Sequence, residues 1–170
     1  MIALSVLILI GIKSHGFPAA GYRMLQWTAL NQHTTLSKLL LAIGAPPSPY
    51  KEIYDWDYNA DITDTPLHSA AKMGNIELAR ALIEHHASID WCCCSCVTPL
   101  HDAIINKHAE IVDLLLKSGA NTDIPYDLSA SVIELAKTRG TSKIVDMIIS
   151  HDQRLGESST KKQRIQADYP

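Results

Sequence analysis

The side chains best suited to metal chemistry lie close together in the middle of the chain. All four cysteines fall within Cys92-Cys93-Cys94-Ser95-Cys96, a few residues after His85 and His86. Thiolates and imidazoles bind structural zinc, but zinc sites use ligand pairs separated by two or more residues, so that the chain can wrap around the ion. Adjacent cysteines cannot readily all point at one centre. We therefore predict no metal site and no disulfide framework, and we expect thiols in a reducing compartment.

One alternative for these residues is a fortuitous zinc site made by Cys94 and Cys96 with His85 or His86. A chelator distinguishes the two interpretations. It leaves the melting temperature unchanged if the cysteines bind no metal, and it lowers the melting temperature by many degrees if they do.

Two further histidines could serve in acid–base chemistry. His68 and His101 lie 33 residues apart, and Asp102 directly follows the second of them. Side chains of adjacent residues on a helix point in different directions, so His101 and Asp102 are not expected to form a catalytic dyad. The sequence contains no G-x-S-x-G, no H-E-x-x-H and no phosphate-binding glycine loop. We therefore predict a protein that is not an enzyme, with no catalytic residues and no cofactor.

The spacing of the two histidines belongs to a longer repeat. Thr65-Pro66-Leu67-His68 recurs unchanged as Thr98-Pro99-Leu100-His101, and the apolar pattern stays in register from residues 65–90 to residues 98–123. In both blocks the apolar residues are spaced by three and four, which is typical of amphipathic helices. A period of this length indicates stacked repeats, each of which buries its apolar face only against its neighbours.

The repeated residues resemble the ankyrin repeat, whose unit is a β-turn followed by two antiparallel helices, with T-P-L-H opening the first. The resemblance implies an all-α solenoid of stacked helix pairs with short β-hairpin fingers. The threonine would cap the first helix, the proline would occupy its first turn, and the histidine would hydrogen-bond to backbone and join adjacent repeats. A glycine between the helices suits a positive φ, although Lys107 stands at the place of Gly74. The structural positions implied are Thr65, Pro66, Leu67, His68, Gly74, Thr98, Pro99, Leu100, His101, Gly119, Ser131 and Glu134.

Two less regular repeats are expected on either side, within a domain of residues 23–151. Ser131 followed by Glu134 is a capping-box pattern, and it opens a closing repeat over residues 131–151. The first repeat, at 23–45, places Arg23-Met24-Leu25-Gln26 where T-P-L-H would stand. Its offset of 42 to the next repeat leaves an inserted finger at residues 46–64. The polar residues 152–170 are predicted to be disordered.

Residues 1–22 have no single interpretation, because MIALSVLILIGI is almost wholly apolar. One reading is the outer helix of a truncated half-repeat, with Gly21-Tyr22 in a finger that leads into the first repeat. A second is a targeting segment, although no positive charge precedes the apolar run and the run is too short to span a bilayer. A third is a fragmentary start to the chain.

A partner-binding surface is implied by the family resemblance, because fingers and the exposed ends of first helices are the usual contacts. These positions fall on Asp61, Ile62, Asp64, Lys72, Met73, Cys94, Ser95, Val97, Ile105, Asn106, Asp127, Leu128, Thr138 and Arg139. The inserted finger adds the aromatic residues Tyr50, Tyr54, Trp56 and Tyr58. Tyrosine and tryptophan are frequent interface hot spots, but they can also cover the flank of the stack, and both interpretations stay open here.

Charge indicates which partner would fit. The net charge is −3, yet the first acidic residue is Glu52, and the stretch from Glu52 to Asp64 is rich in aspartate. An acidic finger favours a basic protein partner and disfavours nucleic acid. We expect a monomer without a membrane span that acts in the cytoplasm or nucleus as an adaptor, scaffold or inhibitor. The alternatives are a substrate-recognition subunit that recruits an enzyme such as a ubiquitin ligase, and a secreted effector protein.

Overall fold

The computed structural model of the chain describes residues 17–49, 64–92, 96–126 and 130–167. These ranges are helical apart from short connections. The helices within them are α1 (Phe17–Leu30), α2 (Thr34–Ala42), α3 (Pro66–Met73), α4 (Ile76–Glu84), α5 (Pro99–Ile105), α6 (Ala109–Lys117), α7 (Val132–Arg139) and α8 (Ser142–Ala167).

The helices form four antiparallel pairs that stack in chain order. The first helices α1, α3, α5 and α7 pack side by side in one layer, and the second helices α2, α4, α6 and α8 form the other layer. One continuous apolar core runs between the layers, from Leu25 in α1 to Ile148 in α8. The predicted all-α solenoid of stacked helix pairs is therefore confirmed. In the described ranges, one isolated antiparallel bridge joins Tyr126 to Ala130 in the last finger.

Local sequence signals determine where the repeated helices begin. The Thr65 hydroxyl accepts a hydrogen bond from the backbone N–H of His68, and the His68 side chain accepts one from the backbone N–H of Thr65. Thr98 and His101 reproduce this reciprocal cap, and Ser131 and Glu134 do so in α7. A proline without an N–H donor follows each threonine, at a position where no donor is needed. The caps satisfy backbone groups that the helix itself leaves unpaired.

The turns between paired helices use a left-handed residue at one equivalent place in three repeats. Gln32, Gly74 and Lys107 have φ of 58°, 74° and 63°, and each precedes a second helix. A Cβ on Gly74 would come within 2.6 Å of Cε1 of His108, so space as well as conformation favours glycine there. Because Gln32 lies 42 residues before Gly74, the register expected for the first repeat agrees with the backbone.

Two expectations about the ends of the chain differ from the structure. Helix α1 begins at Phe17, so Gly21 and Tyr22 lie within a helix instead of in a finger. The final helix α8 extends to Ala167, whereas the sequence analysis predicted disorder from Asp152 onward. Once packing has nucleated a helix, each added residue costs little, and the Glu, Lys, Gln and Arg residues of this segment are good helix formers. Within the described residues, no helix is long and apolar enough to cross a membrane.

Candidate protein-binding face

Two buried histidines connect the internal repeats. Nε2 of His68 lies 3.1 Å from the carbonyl oxygen of Val97, and Nε2 of His101 lies 3.1 Å from that of Ile124. Nδ1 of each ring accepts from the backbone N–H of its own cap threonine, so Nε2 carries the proton and donates to the carbonyl. Burial lowers the pKa of both imidazoles, which keeps them neutral in this role. Each histidine thus joins its own helix start to the finger of the next repeat.

Glutamine performs the linking role in the first repeat. Nε2 of Gln26 donates to the carbonyl oxygen of Asp64 at 2.8 Å. Asp64 directly precedes Thr65, the cap of the next repeat. Val97 holds the same position relative to Thr98. The sequence analysis assigned Gln26 to the histidine position but gave it no function. The signal that could have identified this contact is the glutamine side chain itself. Like the imidazole of histidine, it carries an N–H donor at its end and reaches a similar distance from the backbone.

A charged cluster lies between the first helices of the two internal repeats. Nζ of Lys72 in α3 lies 2.5 Å from Oδ2 of Asp64 and 3.9 Å from Oδ2 of Asp102 in α5. Asp102 is only 5% exposed, and its Oδ2 is buried without a hydrogen bond among the described residues. Burial raises the pKa of Asp102 to about 7; Lys72 opposes this rise and Asp64 adds to it. Lys72 thus connects the finger before its own repeat to the repeat that follows.

The C-terminal ends of the first helices present a row of equivalent side chains, which we call the first-helix band. Leu30 and Met73 are 47% and 46% exposed, although large apolar side chains elsewhere in the first helices are mostly buried. Ile105 is half-buried, Asn106 is exposed, and Thr138 and Arg139 are exposed. The band comprises Leu30, Asn31, Lys72, Met73, Ile105, Asn106, Thr138 and Arg139.

The predicted partner-binding residues fall into two groups. Lys72, Met73, Ile105, Asn106, Thr138 and Arg139 lie in the first-helix band, while Asp64 pairs with Lys72, and Val97 is half-buried and accepts the His68 hydrogen bond. The remaining predicted residues lie outside the described residues: Tyr50, Tyr54, Trp56, Tyr58, Asp61, Ile62, Cys94, Ser95, Asp127 and Leu128. Of the two cysteines in the alternative zinc site, Cys94 lies outside the described residues, and Cys96 is described as a free, half-buried thiol.

Sequence reasoning did not include three residues that the structure places at this face. Leu30 and Asn31 occupy the positions of Lys72 and Met73 in the first repeat, and the offset of 42 could have identified them. Asp102 was considered only as a catalytic partner of His101. Its neighbour in space is Lys72, because position 102 faces back toward the preceding repeat.

The described residues offer little for catalysis at this face. No group of three or more His, Cys, Asp or Glu side chains in the described ranges is placed to hold a metal ion. An open groove lies on the other layer, between α6 and α8, and its lining includes the ion pair of Lys117 and Asp113. His68 and His101 use both ring nitrogens in structural hydrogen bonds. What the arrangement presents is a surface on which apolar side chains lie beside polar ones.

A stack of capped helix pairs with such a surface defines a modular repeat protein. The family model of ankyrin repeats in three copies matches residues 25–126, which is more than half of the chain. The chain belongs to the ankyrin repeat family. Members of this family are in general protein–protein interaction modules and not enzymes.

Similar segments occur in much longer proteins. The chain is 43% identical over 56 residues to the nuclear factor NF-kappa-B p105 subunit of Gallus gallus, covering 33% of the chain and 6% of that protein. It is 35% identical over 75 residues to the BRCA1-associated RING domain protein 1 of Caenorhabditis elegans, covering 44% and 11%. It is 41% identical over 94 residues to the SMC5-SMC6 complex localization factor protein 1 of Homo sapiens, covering 49% and 9%. The chain thus spans only a small part of these relatives.

Proposed function

We propose that this chain binds a protein partner through the first-helix band and the neighbouring fingers, and that it acts as an adaptor, scaffold or inhibitor. The observation that carries the proposal is the exposure of Leu30 and Met73 on a layer whose other large apolar side chains are mostly buried. Apolar side chains set among polar ones are typical of the centre of a protein interface.

The support beneath the band favours recognition without rearrangement. Nε2 of Gln32 donates to Sδ of Met73 at 3.5 Å, and Nδ2 of Asn106 donates to the carbonyl oxygen of Asp102 at 2.8 Å. Both contacts hold band residues against the helix ends. A surface that is ordered before binding loses less conformational entropy when a partner docks, so a modest area can give useful affinity.

The charge of the fingers supports a basic partner. Asp64 already pairs with Lys72, so its charge is largely compensated within the chain. Glu52, Asp55, Asp57 and Asp61 precede it without an intervening basic residue. These carboxylates would attract a basic protein surface and increase the rate of encounter, with an effect that weakens as salt is added.

The band can be tested by charge substitution with a matched control. Met73→Lys and Thr138→Lys add positive charge at exposed band residues, whereas Gln153→Lys adds the same charge at an exposed residue of α8 in the other layer. We expect the two band variants to lose at least tenfold in affinity for a basic partner captured with the natural chain, and Gln153→Lys to retain it. Melting temperatures within about 2 °C of the natural chain would show that folding is intact. Equal binding by all three variants would contradict the proposal.

The inserted finger, residues 46–64, allows a second, independent test. Tyr54 and Trp56 lie outside the described residues, and their role as contact residues is part of the proposal. Replacing both by Ala should abolish partner binding while leaving the melting temperature unchanged if they are hot spots. A large fall in melting temperature would show instead that the finger covers the stack.

A further inference from the structure

The first repeat exposes apolar side chains that its sequence equivalents bury. We call this surface the N-terminal end face. Trp27 and Leu39 are 53% and 57% exposed, and Met24 and Leu36 are half-buried. In the next two repeats the position of Leu36 is held by Leu78 and Ile111, which are 0% and 1% exposed. The position of Trp27 is held by Ser69 and Asp102, which are 1% and 5% exposed.

The difference arises from the neighbour on the preceding side. Asp102 lies 3.9 Å from Lys72 of the preceding repeat, which shows that the position shared with Trp27 faces backwards along the stack. The position of Leu39 is held by Ala81 and Leu114, and both pack against the shared core. The N-terminal end face therefore carries apolar side chains at positions that an adjacent repeat covers elsewhere in the stack, and no such neighbour is found among the described residues.

The opposite end of the stack has a different composition. Among the side chains described in α7 and α8, none is a large exposed hydrophobe, and the exposed ones include Glu134, Lys137, Lys143 and Asp146. A terminal repeat that meets water normally carries such a polar face. The closing repeat satisfies this rule and the first described repeat does not. An occupant for the N-terminal end face is therefore expected.

We propose that residues 1–12 of this chain dock on the N-terminal end face as a capping helix. The segment MIALSVLILIGI contains no charged residue, and only four residues, Lys13 to Gly16, separate it from α1. Connections of two to five residues commonly join antiparallel helices. Twelve helical residues span about 18 Å, and α1, with 14, spans about 21 Å, so the two lengths match. An antiparallel hairpin of this kind brings the first residues of the chain alongside Trp27.

The proposal accounts for two features together. An almost wholly apolar segment without charged side chains is costly to expose to water, and so is an apolar end face. Docking one on the other removes both surfaces from water without a partner molecule.

The fluorescence of Trp27 can be used to measure this contact. Replacing Trp56 and Trp91 by Phe leaves Trp27 as the single tryptophan of the full chain. We expect its fluorescence to be shielded from acrylamide. Two charge pairs probe opposite faces of the segment: Ile2→Asp with Val6→Asp, and Leu4→Asp with Ile8→Asp. At least one pair should raise the quenching constant of Trp27 twofold or more, while Ser14→Asp in the connection should leave it unchanged.

Other outcomes overturn the proposal. Trp27 that is quenched as freely as a model indole in the folded natural chain would show that nothing covers it. Shielding that disappears on dilution would identify a second copy as the occupant. If the charge pairs prevent folding, a photoreactive benzoylphenylalanine at Leu4 decides: crosslinks within one chain to residues 24–39 support the proposal, and crosslinks between chains or to other regions contradict it.

Discussion

The internal and terminal repeats meet the same structural requirements with different side chains. His68 and His101 each accept a hydrogen bond from their own cap and donate one to the next finger. The Gln26 side chain, at the equivalent place in the first repeat, lies inside the long helix α1 and makes the link to Asp64 but no cap among the described residues. The Glu134 side chain, in the closing repeat, makes the cap to Ser131 but no link to another repeat within the described ranges. An imidazole is needed where one residue must do both.

The largest loss of stability is expected when a histidine that both caps its own helix and bonds to the next finger is replaced. His101→Ala leaves the Thr98 N–H and the Ile124 carbonyl without their partner and opens a cavity at a residue that is 0% exposed. We expect a loss of about 3 kcal/mol in the free energy of unfolding. Glu134→Ala removes an exposed cap alone and should cost about 0.5–1 kcal/mol. Urea denaturation of both variants measures the contrast, and equal losses would show that the link to the next finger contributes nothing.

A second, smaller effect concerns Asp102, whose charge is buried between the internal repeats. Its pKa is raised from 3.8 to about 7, so the folded protein binds this proton more tightly than the unfolded chain does. The stability that this group contributes is therefore lost as the pH rises from about 4 through 7. Asp102→Asn, which carries no charge, should gain about 2 kcal/mol of stability relative to the natural chain as the pH rises from 5 to 8.

The buried histidines make stability depend on pH with the opposite sign, and they are the same in both chains. Their pKa values are lowered from 6.5, so their contribution is complete above that pH and declines as the pH falls below it. Both chains share these histidines, so the difference between them isolates Asp102. Unfolding free energies at pH 5, 6, 7 and 8 make the measurement. A variant that loses stability relative to the natural chain over this range would show that the pairing with Lys72 outweighs the cost of burying the carboxylate.

The smallest effect comes from the equivalent turns at Gly74 and Lys107. Gly74→Ala requires a side chain at φ 74° and a Cβ 2.6 Å from His108, so it should destabilise the fold by about 1–2 kcal/mol. Lys107→Gly relieves a residue at φ 63° and should stabilise by up to about 1 kcal/mol. Thermal melts of both variants give opposite shifts if the two turns are alike. Shifts of the same sign would show that neighbouring contacts at one turn outweigh its backbone conformation.

Prediction from the sequence succeeded where a signal was local. Thr65 before a proline indicates a capped helix start, and α3 begins at Pro66. Gly74 suits a left-handed turn, and its φ is positive. The sequence was less informative where packing decides: the start of α1 at Phe17 and the continuation of α8 beyond Asp152 carry no local signal strong enough to identify them. The conformation of a marginal helix segment depends on what it packs against.

The same difference between local signals and packing applies to the candidate binding face. Met73 and Asn106 could be placed in the first-helix band because they occupy equivalent positions in a recognisable repeat. Two contacts could not be predicted from the sequence: the burial of Asp102 against Lys72 and the hydrogen bond from Gln26 to Asp64. Each joins residues about 30 or more positions apart.

By itself, the sequence determined the repeat, the helix starts at the two T-P-L-H blocks and the class of fold, because capping, proline geometry and apolar periodicity act between residues close together in the chain. Only the tertiary structure decided which side chains bridge adjacent repeats and which apolar side chains of the first repeat remain exposed. Those outcomes depend on which neighbour lies against each helix pair, and the residues of one repeat do not determine that neighbour.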